Sequence, residues 1–337
     1  MLRRISIGTS IALALLLALP AALLWWVGCT ESGLQFVINR LPERMGKVTM
    51  RIEGISGSLA DGITMRHFLL EHELVTVRVD GLTGRVRILP LLWQSIEPVG
   101  ARIENAYVAL HPRRSPPSDR PPFFLPGFLS LRTEDAHIDH ATLVPINGRA
   151  VEFDRLVASG VIHPKTLRIF RATGRLIGID LEATGLLTAG DPFLLEGDVR
   201  AVYAPAGLPR WVLNGEYQGN FRGFEAKGQL VEPFHADVIN GWTQIAGNWS
   251  FSADAIVRDF DLRPFGGGHL LGLVKGRQHL VIDRNGYHAR GTLDPAGLAA
   301  GEFDSAFDGR YADHVLTVDA ATFTHRGSRA QASASGR

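Results

Sequence analysis

Polar and apolar positions divide this chain into two unequal parts. From Ile5 to Thr30, 26 residues run without a charge, bounded by Arg4 and Glu31. A helix of that length crosses a hydrocarbon core of about 30 Å. The period then changes. Leu34, Val37, Ile38 and Leu41 fall at i, i+3, i+4 and i+7, which predicts a short amphipathic helix over Glu31–Leu41. Ser32 is placed to cap its start, and Pro42 stops it. From Lys47 onward the period is two, the signature of strands. Val48, Met50 and Ile52 alternate with Thr49, Arg51 and Glu53, and Gly54, Gly57 and Gly62 mark turns. Val75, Val77 and Val79 alternate with Thr76, Arg78 and Asp80, and Val86 and Ile88 continue the pattern. Ile103, Ala106, Val108 and Leu110 break it, predicting a bulge near Asn105.

One interruption follows. Pro112, Pro116, Pro117, Pro121, Pro122 and Pro126 lie within Pro112–Gly127, and a strand ladder does not run through so many missing N–H groups. Phe123, Phe124, Leu125, Phe128 and Leu129 would dock this loop against the β-structure. Beyond it the alternation sharpens. Phe193, Leu195, Gly197, Val199, Ala201 and Tyr203 oppose Leu194, Glu196, Asp198 and Arg200. Trp211, Leu213, Gly215, Tyr217, Gly219, Phe221 and Gly223 oppose Val212, Asn214, Glu216, Gln218, Asn220 and Arg222, with a turn expected near Gly219. Trp249, Phe251, Ala253 and Ala255 repeat the theme. Asn285-Gly286 between alternating segments predicts a hairpin. His314–Phe323 and Ser328–Ser335 predict another about a turn at Thr324–Gly327. The final strand reads as an edge that a partner or further chain would cover.

These periods give five segments. Residues 1–30 form a signal anchor or transmembrane helix, and 31–46 a juxtamembrane amphipathic helix. Residues 47–111 form a first β-segment, 112–127 a proline-rich loop, and 128–337 a long β-groove. The fold class is all-β: an N-terminal transmembrane helix and then an elongated antiparallel sheet with one apolar face. That sheet is either packed as a sandwich or, as the family resemblance given below implies, curved into a groove or taco-like trough with an apolar inner face. Roughly 16 strands are expected, spaced about 4.8 Å apart. The apolar lining is assigned to Phe193, Leu195, Val199, Trp211, Leu213, Tyr217, Phe221, Trp249 and Phe251.

The first segment carries its own chemistry. Arg3 and Arg4 supply a basic flank, and Trp25 and Trp26 suit a membrane–water interface. A cleaved signal has a shorter apolar stretch and a small-x-small site. Cys29 after Gly28 is similar to a lipoprotein cleavage site, but Trp26 fits that pattern poorly. A retained anchor is the reading that follows, with residues 31–337 outside the cytoplasm by the positive-inside rule. The chain has one cysteine, so no intramolecular disulfide is possible.

Lys and Arg number 35 against 34 Asp and Glu, for a net charge of +1, which leaves no electrostatic footprint for nucleic acid. The 37 glycines fit many short strands joined by tight turns.

Three runs carry a family resemblance. They are Thr30-Glu31-Ser32-Gly33-Leu34-Gln35, the stretch Ile52-Glu53-Gly54-Ile55-Ser56-Gly57-Ser58-Leu59-Ala60-Asp61-Gly62-Ile63, and Leu91-Leu92-Trp93 leading to Ala101-Arg102-Ile103-Glu104-Asn105-Ala106. Over residues 1–110 the chain resembles the N-terminal part of the TamB family, the inner-membrane subunit of the translocation and assembly module within the AsmA-like group. The resemblance implies a single-pass inner-membrane protein whose bulk is periplasmic, with a long apolar β-groove. It further implies a role in phospholipid transport between the two membranes or in outer-membrane protein assembly. The family's C-terminal domain, which meets an outer-membrane barrel partner, has no counterpart in these 337 residues.

Motifs for catalysis are weak. His137-x-Asp139-His140 places His137 and Asp139 on one face of a strand and His140 on the other, a poor metal constellation. Gly266-Gly267-Gly268-His269 lacks the Lys-Ser/Thr and helix of a phosphate loop. Arg113, Arg114 and Arg120 read as a solvated loop, or as contacts for anionic head groups. The expected ligands are phospholipid acyl chains, with no cofactor, metal or nucleic acid and no enzymatic activity. Two other classes stay open. One is an assembly factor that binds unfolded outer-membrane proteins by β-augmentation. The other is an anchored β-sandwich with a structural or binding role.

Overall fold

The computed structural model describes residues 25–336 apart from 41, 43, 46–47, 113–123, 126, 147–149, 177, 191, 205, 208, 221, 245–249, 262, 264–271, 284, 298–300, 313–314 and 327. Arg3, Arg4, Phe221, Trp249, the glycine run at 266–268 and most of the proline-rich loop with its three arginines lie outside the described residues. The protein is all-β. Its described residues form 21 strands and two short helices beyond the helical residues 25–29. No helix among them is long and apolar enough to cross a membrane.

Two compact units divide the chain. Unit 1 holds residues up to Pro116 together with Leu125–Leu143 and Asp154–Pro164. Unit 2 holds Pro117–Phe124, Val144–Phe153 and Lys165–Arg337.

Unit 1 opens with helix α1, Glu31–Ile38. Its cap is Thr30, whose hydroxyl accepts the Gly33 N–H at 3.1 Å, and not Ser32 as the sequence pattern suggested. Thr30 takes extended backbone angles, as a capping residue must, whereas Ser32 already lies inside the helix. The helix also ends earlier than the apolar spacing implied, and Arg44–Met45 form strand β1, so the helical segment does not reach residue 46. Strands β2 (Val48–Glu53), β3 (Ser56–Ser58), β4 (Gly62–His72) and β5 (Val75–Val86) follow. Helix α2 (Ile88–Leu91) leads to β6 (Ser95–Ile96), β7 (Pro98–Leu110), β8 (Ser130–Val144) and β9 (Val151–Ile162). Ile88 therefore starts a helical turn and does not extend β5.

The pairing in unit 1 is antiparallel for β1–β2, β2–β4, β3–β4, β4–β5 and β5–β7, and parallel for β6–β8. Met50, Leu70, Val77 and Val108 are successive cross-strand neighbours, as are Ile52, Phe68, Val79 and Ala106, so the two-residue period does lay down an apolar face. The expected bulge moves. Asn105 keeps register with Asp80, and the shift falls between Thr83 and Arg85, opposite Gly100 with φ +60°. Glycine accepts that left-handed angle at little cost.

Unit 2 is an antiparallel meander. Its strands are β10 (Thr166–Leu176), β11 (Ile179–Thr188), β12 (Leu194–Tyr203), β13 (Trp211–Asn220), β14 (Gly223–Glu232) and β15 (Ala236–Gln244). They continue as β16 (Ser250–Asp261), β17 (Leu273–Asp283), β18 (Tyr287–Pro295), β19 (Phe303–Ala312), β20 (Val315–His325) and β21 (Ser328–Gly336). Each pairs with the next. Register shifts interrupt β10–β11, β13–β14, β14–β15, β15–β16, β16–β17, β19–β20 and β20–β21, and such bulges bend a sheet and add twist.

The turn expected at Gly219 lies beyond Asn220. Gly219 pairs with both Leu195 and Phe224, and the Asn220 side chain accepts the Arg222 N–H at 2.8 Å. The Asn285-Gly286 hairpin is present, and the Asp283 carboxylate secures its loop by accepting the Asn285 N–H at 2.7 Å. The last hairpin turns at Arg326, with φ +47°.

Candidate functional site

Alternation of period two along the strands of unit 2, re-phased at the bulges and aligned by the ladders, sorts its side chains onto two faces. On one, Leu167, Leu187, Leu195, Gly219, Phe224, Thr243, Phe251, Ile282, Tyr287, Gly309 and Val318 are successive cross-strand neighbours from β10 to β20. Thr243 is the single polar side chain in that row. At about 4.8 Å per strand the row runs roughly 48 Å. A second row, Leu181, Ala201, Leu213, Leu230, Ala236, Val257, Gly276, Leu293 and Phe303, lies beside it.

Among the described residues, this apolar face is sheltered and not fully buried. Most of its side chains are half-buried. Among the described residues, the fully buried apolar positions of unit 2 are Val212, Ala236, Ala253, Val274 and Ala321, and the largest side chain under 2% exposed is Val212. A sandwich core would bury whole Leu, Phe and Trp side chains against a second sheet. Here those residues keep part of their surface open.

Two tyrosines lie flat on the face in the same way. Tyr217 on β13 crosses Gly197 on β12 and donates its hydroxyl to the Thr184 carbonyl on β11 at 3.0 Å. Tyr287 on β18 crosses Gly309 and donates to the Thr317 carbonyl on β20 at 3.3 Å. A Cβ at Gly197 would stand 2.7 Å from the Tyr217 hydroxyl oxygen. Burial pushes both phenols above their ordinary value, with the Asp198 and Asp319 carboxylates adding to the effect respectively. Gln278 donates to Ser305 Oγ at 2.8 Å, and its own Oε1 is buried without a partner. Aromatic rings gather at the strand ends. Phe234 stands between Trp211 at 5.7 Å and Phe260 at 4.2 Å, and Phe307 meets Phe323 at 5.5 Å.

The opposite face is charged and internally paired. Arg171 meets Glu182 at 2.8 Å, Arg175 meets Asp180 at 2.9 Å, Arg310 meets Asp319 at 2.9 Å, and Arg258 meets Asp237. Histidine–aspartate pairs recur: His279 with Asp254 at 2.9 Å, His235 with Asp259 at 2.9 Å and His288 with Asp308 at 2.6 Å. Two open depressions, of about 570 and 760 Å³, are bordered largely by charged and polar residues, with Tyr217 also lining the first and Val199 the second. Thr184, Asp198, Glu216 and Lys227 border both.

Hydrogen bonds from His279 and then Asn240 hold the Asp254 carboxyl low, and His235 does the same for Asp259. Arg263 pulls Asp261 from the ordinary 3.8 down to about 2. A carboxylate that binds its proton less readily folded than unfolded stabilises the fold above the ordinary value. That contribution fades as pH falls from 3.8 toward 2. Arg263→Met should raise the Asp261 midpoint in an NMR titration but leave it below the ordinary range, because the residue-263 N–H still bonds the carboxylate at 3.0 Å. An unchanged midpoint would show that the guanidinium is not its main cause.

Of the lining residues expected from sequence, Leu195, Val199, Leu213, Tyr217 and Phe251 sit on the apolar face. Trp211 begins β13 opposite Tyr203, and Phe193 precedes β12 with its ring 5.7 Å from Phe124. Phe224, Leu230, Val257, Ile282, Tyr287, Leu293 and Phe303 complete the face and were not singled out, although the same alternation marks each. Of the weak metal constellation, Asp139 bonds Arg102 at 2.9 Å and His140 bonds Asp154 at 2.9 Å. No family model, curated protein or solved structure matches this chain.

Proposed function

We propose that this chain is a membrane-anchored lipid carrier. It holds phospholipid acyl chains against the apolar face of its sheet and passes them outward from an inner membrane, as the resemblance to the TamB family implies. The observation that carries this reading is the largely apolar row from Leu167 to Val318, interrupted by Thr243 and two glycines. Most of it is half-buried and, among the described residues, unit 2 has no fully buried large side chain other than Val212. Each methylene taken from water is worth about 0.8 kcal/mol, so two acyl chains sheltered along part of the row are held by several kcal/mol. Head groups stay in solvent, and movement needs no catalytic residue. Retention of the N-terminal segment is supported by the way its end is built into unit 1. The Gly28 carbonyl accepts the Ala60 N–H at 2.9 Å, and the Trp26 ring meets Phe36 at 5.2 Å.

Site-specific photo-crosslinking in cells tests the proposal. Probes at Leu213 and Tyr217 should yield phospholipid adducts, and probes at Asn214 and Gln218 on the charged face should not. Protein adducts at the apolar positions would favour an assembly factor, and adducts at neither face would remove the lipid reading.

A further inference from the structure

Of the large exposed apolar side chains of unit 1, which also include Phe128 at 65%, several lie on the two segments joined to residues 25–29. These are α1, which follows them, and the turn after Ile88, which packs on Gly28. Trp25 is 64% exposed, Leu89 69%, Leu92 55% and Trp93 73%, and Phe36 and Val37 add to them from α1. Single exposed hydrophobics are ordinary, but several presented together mark an interaction surface. Leu89, Leu92 and Trp93 belong to one uncharged run, Ile88-Leu89-Pro90-Leu91-Leu92-Trp93, between Arg87 and Gln94.

The backbone presenting them is fixed. Leu92, Trp93 and Gln94 donate to the carbonyls of Leu89, Pro90 and Leu91 at 3.1, 2.9 and 3.0 Å. Gln94 then takes φ +61°, and its carbonyl accepts the Ser130 N–H at 3.0 Å. On the other side, Val86 donates to Leu59 at 2.6 Å and Arg87 to Glu97 at 3.0 Å. A hydrogen-bonded turn that holds Trp93 outward has a conformation suited to a surface it meets, not to a chain collapsing on its own core.

Position identifies that surface. Gly28 packs directly on Ile88; a Cβ there would stand 2.7 Å from Ile88 Cδ1. Residues 25–29 are helical, and they continue the uncharged run that begins at Ile5. The 20 uncharged residues from Ile5 to Leu24 lie outside the described residues; their number is what a helix needs to cross one hydrocarbon thickness of about 30 Å. A helix leaving a bilayer at Trp25 brings the Ile88–Trp93 turn to the head-group level. There, tryptophan is favoured and leucines have hydrocarbon to enter. Arg40, stacked 3.8 Å over the Phe36 ring, adds a cation that suits anionic head groups.

We infer that the Leu89–Leu92–Trp93 turn is a second membrane contact, a wedge seated in the phospholipid interface beside the anchor. It fixes the first strands of the sheet on the bilayer surface, so that lipid can leave the membrane directly onto the protein. This rests on the anchor of the proposed function, and the test separates the two. The full chain carrying Cys29→Ser and Trp93→Cys is labelled with an environment-sensitive fluorophore and reconstituted in phosphatidylethanolamine–phosphatidylglycerol vesicles. A matched label goes at Glu71→Cys, an exposed position on β4. Emission at position 93 should be quenched severalfold by lipids spin-labelled near the head group, and emission at position 71 should not. If the chain resists alkaline carbonate extraction while position 93 reports water, the anchor stands and the wedge is refuted. A chain that carbonate strips from the vesicles has no anchor, and the wedge falls with it. Shielding of position 93 without vesicles would assign the patch to a second copy of the chain and overturn the inference.

Discussion

Replacing Gly197 by valine should destabilise unit 2 by about 2–6 kcal/mol, the sum of overpacking and of an orphaned buried acceptor. Gly197 lies in the middle of β12, with Gly185 beside it on β11 and Tyr217 beside it on β13. A Cβ there would meet the Thr184 carbonyl oxygen and stand 2.8 Å from Gly185 Cα, both backbone atoms that cannot turn aside. The Tyr217 ring would have to lift, breaking its 3.0 Å bond to Thr184. Gly207→Ala is the contrast. Gly207 has φ +76° and nothing within 4 Å of its Cβ position, so alanine there bears only the left-handed backbone cost of about 1 kcal/mol. Urea unfolding gives the magnitudes, and hydrogen exchange on β11–β13 shows where the loss falls. Equal midpoints for the two variants would mean that Tyr217 does not lie across the glycine.

That glycine shows what the sequence could and could not say. The period of two placed Leu195, Val199, Leu213, Tyr217 and Phe251 on one face, because side-chain direction in a strand depends only on parity. It could not show which residue of the next strand stands opposite, since register is set by turns and bulges. Phe224, Ile282 and Tyr287 were therefore left out of the lining, though the ladders bring them level with Leu195. Parity placed Gly197 among the apolar positions of its strand, and Gly309 was not singled out; only the ladder reveals that each is the floor beneath a tyrosine from the neighbouring strand. Local signals also misled in unit 1. Ile88 continues the parity of Val86, but Pro90, which suits the first turn of a helix, and the residues after it favour a helical turn. Thr30 took the cap from Ser32 because the helix begins at Glu31, which puts Ser32 inside it.

The choice between a face that binds lipid and an edge that binds protein comes down to Leu213→Asp. Leu213 is flanked by Ala201 and Leu230 in the second apolar row, and β13 is hydrogen-bonded on both sides, to β12 and β14. An unfolded chain captured by β-augmentation needs free backbone N–H and C=O groups at a sheet edge, and β13 has no free edge. A carboxylate at 213 should leave such capture intact. An acyl chain crossing the row would instead meet a charge in hydrocarbon, which costs at least about 2.5 kcal/mol and lowers local occupancy about 60-fold. Crosslinking of phospholipid at Ala201 and Leu230 should fall by that order, while Asn214→Asp, one residue along on the charged face, should change nothing. Because the row is a series of neighbouring positions, one blocked position should also cut lipid delivery past it. Far-ultraviolet circular dichroism confirms that the variant remains folded. Undiminished adducts at Ala201 and Leu230 in a folded Leu213→Asp protein would place the acyl chains elsewhere, and loss of peptide capture in the same variant would place the peptide on the face and not at the edge.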